Sequence, residues 1–320
     1  MMEIRNFGAL REAAVARGGC AVAVASADRH SILAVVEGRR AGLCDAILIG
    51  DEGRIQENLD ALGVDPSDFV VLPADGDASS AALAVELARR GAANAILKGS
   101  LATSTLMRAV LHREFGLRRE RLLSDVRLCD HPFKKDGFLA VTDGGLNPRP
   151  TLHEKRVILE NAVAVFRCIG NYDPCVAVLC AAEKVEVSLP HTVEAAALRD
   201  MNRRGEITGC LVDGPVSLDL AISADAARLK GYTSPVAGRA DILLGPTIEA
   251  TNLLGKSLIY FLGSTPGQVV FGAAVPVLIP SRADGAEIRL NSIALASLVR
   301  EGCSASRSPH SSTGHAPHVR

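Results

Sequence analysis

AILKGSLATSTLMR, residues 95–108, passes from a short apolar strand into a helix through one tight turn. Ala95–Lys98 has the length and apolar character of a buried strand, and Gly99-Ser100 interrupts it. A helical apolar period then runs over Thr105–Phe115. The same passage recurs along the chain. Further strands are predicted at Ala21–Ala25, Ala46–Gly50, Phe69–Leu72, Phe138–Thr142, Val176–Cys180, Gly209–Val212, Asp241–Leu244 and Val269–Ile279. Between them lie helical patterns such as Ala78–Arg90, Leu152–Cys168, Thr192–Arg204 and Leu218–Lys230. Alternation of this kind predicts an α/β fold, with mostly parallel sheets covered by helices and ligands gathered at the carboxyl ends of strands.

Bulk properties agree with that reading. The 320 residues exceed the usual size of one domain, which predicts one large or two medium ones. Hydrophobic residues make up 48% of the chain but aromatics only 3%, so small aliphatic side chains must fill the core. A formal net charge of −1 argues against a nucleic-acid partner, which would call for a basic excess. The eight cysteines form no CxxC pair and no close framework, so they read as reduced thiols of a cytoplasmic protein. The polar N-terminus is no signal peptide, and no uncharged apolar run is long enough for a membrane span. Residues 301–320, rich in Ser, His, Pro and Gly, read as a disordered tail rather than a metal site, despite His310, His315 and His318.

Several chemistries lack their signatures. There is no GxGxxG after the first strand, no HExxH and no GxSxG elbow. Gly255-Lys256-Ser257 ends like a P-loop, but Ala250 stands where that loop needs glycine. Neither a metal nor a redox cofactor is expected.

Three segments carry candidate chemistry. In the first, Lys98, Ser100, Thr103 and Arg108 surround a strand–turn–helix junction, where exposed N–H groups and the helix dipole favour an anion. Capping by the hydroxyls is the competing structural role. In the second, SPVAGRADILL (234–244) leads into a helix that carries Glu249, Asn252 and Lys256 on one face. In the third, the strand before PSRADGAEIRLNSIALAS (280–297) gives way to Ser281-Arg282 at the start of a helix. Ser281 and Asp284 fit a capping box. Arg282 does not, because a cation is disfavoured at a helix N-terminus unless it meets an anion.

Taken together with VDGPVSLDLAIS (212–223), these segments resemble the phosphate acetyl/butyryltransferase family, and its butyryltransferase branch most closely, from about residue 10 to about residue 300 in one order. The resemblance implies two three-layer α/β domains with mostly parallel sheets and a cleft between them. Residues 1–118 and 270–300 would form the first, discontinuous domain and residues 119–269 the second. It implies a homodimer and reversible transfer of a short acyl group, acetyl to butanoyl, between coenzyme A and inorganic phosphate. Coenzyme A would be a substrate, with no cofactor. Arg108 matches a family arginine implicated in phosphate binding, and Ser281-Arg282 match the family's active-site pair. Arg89 is a looser match, and Cys129 falls near a reactive but dispensable family cysteine. The acetyltransferase branch carries a catalytic aspartate where this chain has Ile288, so Asp284 is the expected proton acceptor. A catalytically degenerate CoA-binding relative and another enzyme of the same fold are the alternative readings.

Overall fold

The computed structural model describes residues 3–304. Helix α1 (Phe7–Ala16) precedes β1 (Cys20–Ala25), α2 (Arg29–Arg40), β2 (Cys44–Gly50), α3 (Glu52–Ala61), β3 (Val70–Pro73), α4 (Gly76–Arg89), β4 (Ala95–Lys98) and α5 (Thr103–Val110). Two strands follow directly, β5 (Ser124–Asp130) and β6 (Phe138–Thr142). The chain continues through α6 (Leu152–Cys168), β7 (Cys175–Leu179), α7 (Pro190–Arg203), β8 (Leu211–Val216), α8 (Leu218–Ile222), α9 (Ala224–Leu229), β9 (Ile242–Leu244) and α10 (Ile248–Tyr260). It ends in β10 (Gly267–Phe271), β11 (Val277–Leu278) and α11 (Ala286–Ser304).

The described strands form one sheet in the order β3-β2-β1-β4-β11-β10-β5-β6-β9-β7-β8. Pairs are parallel on both flanks and antiparallel only at β11–β10–β5–β6 in the centre. The two parallel flanks belong to one continuous sheet, in which β10 meets β11 through the antiparallel pairing of Val270 with Val277. The flanking strands show why. β7 (CVAVL) and β9 (ILL) are buried at every position, as a parallel strand covered on both faces requires.

Three sequence expectations change. The long strand expected over Val269–Ile279 is two antiparallel strands, because the chain turns between them. Gly272 takes φ +108° there, and a Cβ at that position would meet the Leu122 carbonyl oxygen at 2.6 Å. The helix expected over Leu218–Lys230 divides at Ser223, whose extended backbone lets its hydroxyl cap α9 at the Ala226 N–H. Finally, α11 runs on to Ser304, so the first four residues assigned to the tail are helical. The rest of the tail, with its three histidines, lies outside the described residues.

Helix ends follow local chemistry. Asp28 and Ser31 close a capping box on α2, and Thr151 and Glu154 close another on α6. Helix α11 packs on β10 and against α1 and α2, burying Ile293, Leu295, Leu298 and Val299. Each such side chain contributes roughly 1.5–3 kcal/mol relative to exposure. That packing anchors the end of the chain under β11 and so holds the Ser281-Arg282 segment in place.

Candidate active site

A cavity of about 800 Å³ lies where the two halves of the sheet meet. Its volume falls in the range of small-molecule sites. One wall is the β4–α5 turn, with Lys98, Leu101, Ala102 and Thr103; beside it lies the end of β11, with Ile279, Pro280, Ser281 and Arg282. The opposite wall is the α10 face with Glu249, Asn252 and Lys256, next to Gly144 and Gly145 after β6. Asp125 and Arg127 of β5 and Gln268 of β10 complete the lining. Period-2 alternation puts Asp125 and Arg127 on one face of β5, and Gln268 stands opposite Arg127 in the register.

Lys98 is 4% exposed, and its ammonium donates to the carbonyls of Gly99 at 3.1 Å and Leu101 at 3.3 Å. Burial, and then the nearby Arg282 charge, push its pKa down. The Arg282 Nη2 donates to the Ser100 carbonyl at 3.0 Å. The Ser281 hydroxyl lines the cavity and forms no hydrogen bond among the described residues. Arg127 donates through Nε and Nη2 to the Gln268 side-chain oxygen at 3.3 and 3.0 Å. The Asn252 amide donates to the Gly144 carbonyl at 2.8 Å. Lys98, Arg127, Lys256 and Arg282 thus converge on one space, and among the described residues none is in ion-pair contact with a carboxylate. Four cations against the two carboxyl groups of the lining, Asp125 and Glu249, favour an anionic ligand.

The turn that carries Ser281 and Arg282 is held from behind. Asp284 accepts the Ser281 N–H at 2.7 Å, so its carboxylate is occupied in closing the turn and lies outside the cavity lining. Arg289, 1% exposed on α11, donates through Nη2 to the Ser281 carbonyl at 3.2 Å and through Nη1 to the Asp284 carbonyl. The helix itself starts at Ala286, so Arg282 sits in the preceding turn and not on the first helical turn. Ile288 is buried in the core.

The other candidates stand apart. Ser100 bonds to the Ser26 carbonyl at 3.3 Å and lines a neighbouring crevice at the ends of β1, β2 and β3. Arg108 is exposed on α5, whose first residue, Thr103, reaches the cavity, while Arg108 does not line it. Arg89 stacks over the Phe115 ring at 5.9 Å. Cys129 is buried, and burial raises its thiol pKa to about 11, so it is protonated at neutral pH.

Sequence reasoning missed Asp125, Arg127, Gln268 and Arg289. The first two sit in β5, which had not been predicted as a strand. Its residues Asp125–Leu128 alternate polar and apolar, the signal that would have found it. Beside them stands Asp143, 4% exposed at the end of β6, whose carboxylate accepts the N–H groups of Gly145, Leu146 and Asn147 at 2.9, 3.1 and 3.2 Å.

Comparison with known proteins agrees with this geometry. The family described as phosphate acetyl/butaryl transferase matches residues 76–297. A phosphate butyryltransferase of Clostridium acetobutylicum is 42% identical over 279 residues, which is 87% of this chain and 92% of that protein. A phosphate acetyltransferase of Rickettsia felis is 40% identical over 273 residues, 85% of this chain and 78% of that one. Among solved structures, a branched-chain phosphotransacylase from Enterococcus faecalis superposes with a TM-score of 0.78 at 30% identity, covering 88% of this chain and 98% of that one.

Proposed function

The chain belongs to the phosphate acetyl/butaryl transferase family, and on that premise we propose that it transfers a short acyl group reversibly between coenzyme A and inorganic phosphate. The observation that carries this reading is the meeting of Lys98, Arg282 and the free Ser281 hydroxyl in one cavity with two further cations, Arg127 and Lys256. Lys98 and Arg282 grip phosphate or the phosphoryl group of the acyl phosphate, for which the planar guanidinium fork is suited. Ser281 donates to the carbonyl oxygen as it gathers charge in the tetrahedral transition state. Lys256 and Arg127 hold the remaining negative charge of the substrates. The apolar residues Leu101, Ile248, Leu253 and Ile279 offer a surface for the acyl chain, from acetyl to butanoyl.

The reaction needs no redox or metal chemistry. Phosphate oxygen attacks the thioester carbon, the C–S bond breaks, and the proton lost by hydrogen phosphate ends on the departing CoA sulfur. Arg108, outside the cavity lining, adds only its positive charge to the field of the site. The protein works in the cytoplasm as a homodimer. The strongly exposed Tyr260, Phe261 and Leu262 at the end of α10 offer apolar surface for a second copy. No described helix is long and apolar enough to cross a membrane.

Release of CoA thiol from acetyl-, propanoyl- and butanoyl-CoA, with and without phosphate, tests the proposal. Phosphate-dependent release supports it and ranks the acyl chains. Release that ignores phosphate indicates a thioesterase, and no release with any chain indicates a binding protein without turnover.

A further inference from the structure

The transfer proposed above requires a group that takes the proton of the CoA thiol, whose reference pKa of about 8.5 leaves it mostly protonated at neutral pH. Asp284 lies outside the cavity lining with one oxygen held by the Ser281 N–H, and Glu249 lies on the exposed end of α10. The remaining carboxyl group in the cavity lining is Asp125.

Its surroundings are unusual. Asp125 is 1% exposed near the start of β5, and its backbone carbonyl is fixed by the Thr142 hydroxyl at 2.7 Å. Its Oδ1 is buried without a hydrogen-bond partner among the described residues. Leaving a buried carboxylate oxygen unsatisfied costs free energy that a proton, or a proton-bearing ligand, removes. Asp143 beside it is the opposite case. Three backbone N–H groups and the Asn147 amide fill its oxygens. Two neighbouring buried carboxyls in contrasting environments hold a shared proton unequally, and the carboxyl with fewer donors is the better place for it.

The charged and polar groups around the pair are Arg127 on β5, Gln268 on β10, Asp143 after β6, Lys98 after β4, Lys256 and Glu249 on α10, and Arg282 after β11. Burial first, and then the Asp143 charge, push Asp125 up to about 7, with the Arg127 charge and the Gln268 side chain opposing. Asp143 is also pushed upward by burial, against its donors. The pair titrates as a unit. Because the Asp143 oxygens are filled, the exchangeable proton belongs on Asp125.

We propose that Asp125 is the catalytic proton acceptor and donor for the CoA thiol. As the sulfur attacks the acyl phosphate carbonyl, the S–H proton passes to the Asp125 carboxylate and the S–C bond forms. The C–O bond to phosphate then breaks, and Asp125 returns the proton to the departing phosphate oxygen. The thiol proton thus ends on inorganic phosphate, and the carboxylate is regenerated. In the reverse direction the protonated Asp125 supplies the leaving thiolate.

This assignment rests on the proposed acyl transfer, and the full-length Asp125→Asn protein separates the two claims. Steady-state rates in both directions are measured from pH 5.5 to 9, with calorimetric CoA binding and a thermal melt as controls. The expected result is a fall in kcat of about 100-fold or more. The KM for phosphate and the CoA affinity should stay within a few-fold of wild type, and the ionisation near pH 7 should vanish from the kcat profile of thiol attack. An active wild type with an equally active Asn variant and an unchanged profile overturns the assignment and leaves acyl transfer standing. A wild type without phosphate-dependent turnover removes acyl transfer itself. If the Asn variant does not fold, the wild-type profile decides: no ionisation near neutrality overturns the role.

Discussion

The guanidinium of Arg282 donates to the backbone carbonyl of Ser100, 3.0 Å away, and ties the turn after β11 to the turn after the neighbouring strand β4. The link crosses 182 residues of sequence. It aligns the two turns that hold Lys98 and Ser281, so loss of Arg282 removes both a charge and a brace.

Replacing Arg282 with Gln should therefore lower kcat/KM for phosphate by about 10- to 100-fold, the worth of one charge-assisted contact, with CoA binding much less affected. Arg282→Lys should recover little, because a point charge cannot hold the Ser100 carbonyl and a phosphate in one fork. Phosphate-saturation kinetics of both variants check this. Normal phosphate saturation in Arg282→Gln would remove the residue from the site.

Arg289 is a positioning residue. It is buried on α11 and holds the carbonyls of Ser281 and Asp284. Arg289→Ala should cost about 2–4 kcal/mol of stability, since two carbonyls lose a charged donor and a cavity opens. Urea unfolding measures that cost. Its effect on turnover should fall on kcat through a misplaced Ser281, with the pH profile unmoved.

Gly145 presses on the Asp125 side chain: an added Cβ would meet its Oδ2 at 3.0 Å and its own Cβ at 3.1 Å. Gly145→Ala should displace that carboxyl and reduce kcat by about an order of magnitude, in line with the sensitivity of catalysis to small misplacements. Comparing its kcat and melting temperature with wild type tests this, since a purely structural glycine would lower the melting temperature without the matching loss of kcat.

Stability carries a signature of Asp125 as well. Its folded-state pKa, near 7, lies above the ordinary aspartate value. The folded state therefore holds an extra proton between roughly pH 4 and 7. The resulting contribution is fully present below that window and is lost as pH rises through about 7. Its slope is at most about 1.4 kcal/mol per pH unit for one proton. Asp125→Asn should flatten the fall in stability toward neutrality, so the variant gains on wild type as pH rises from 5 to 8. Denaturant unfolding across that range measures the difference, and parallel curves would contradict the buried titration.

Much of this could be read from residue types alone. Gly99-Ser100 after a short apolar run, and Ser281-Arg282 after Ile279-Pro280, mark strand ends where side chains collect. What escaped the reading were polar residues buried for function. Ser124–Asp130 looks like solvated chain because Asp125 and Arg127 are charged, yet both face a cavity. Arg289 looks like the wet side of a helix, but its guanidinium is consumed by backbone carbonyls. The phase of α5 could not be fixed from its short apolar pattern either. Leu106, Met107 and Val110 turn inward and leave Arg108 on the outer face.

The most direct test of the account is product identity. Butanoyl-CoA and phosphate are incubated with the protein, and hydroxylamine traps acyl phosphate as hydroxamate while a thiol reagent counts CoA. The account predicts phosphate-dependent hydroxamate in a one-to-one ratio with released thiol. Thiol release without trapped acyl phosphate would contradict it.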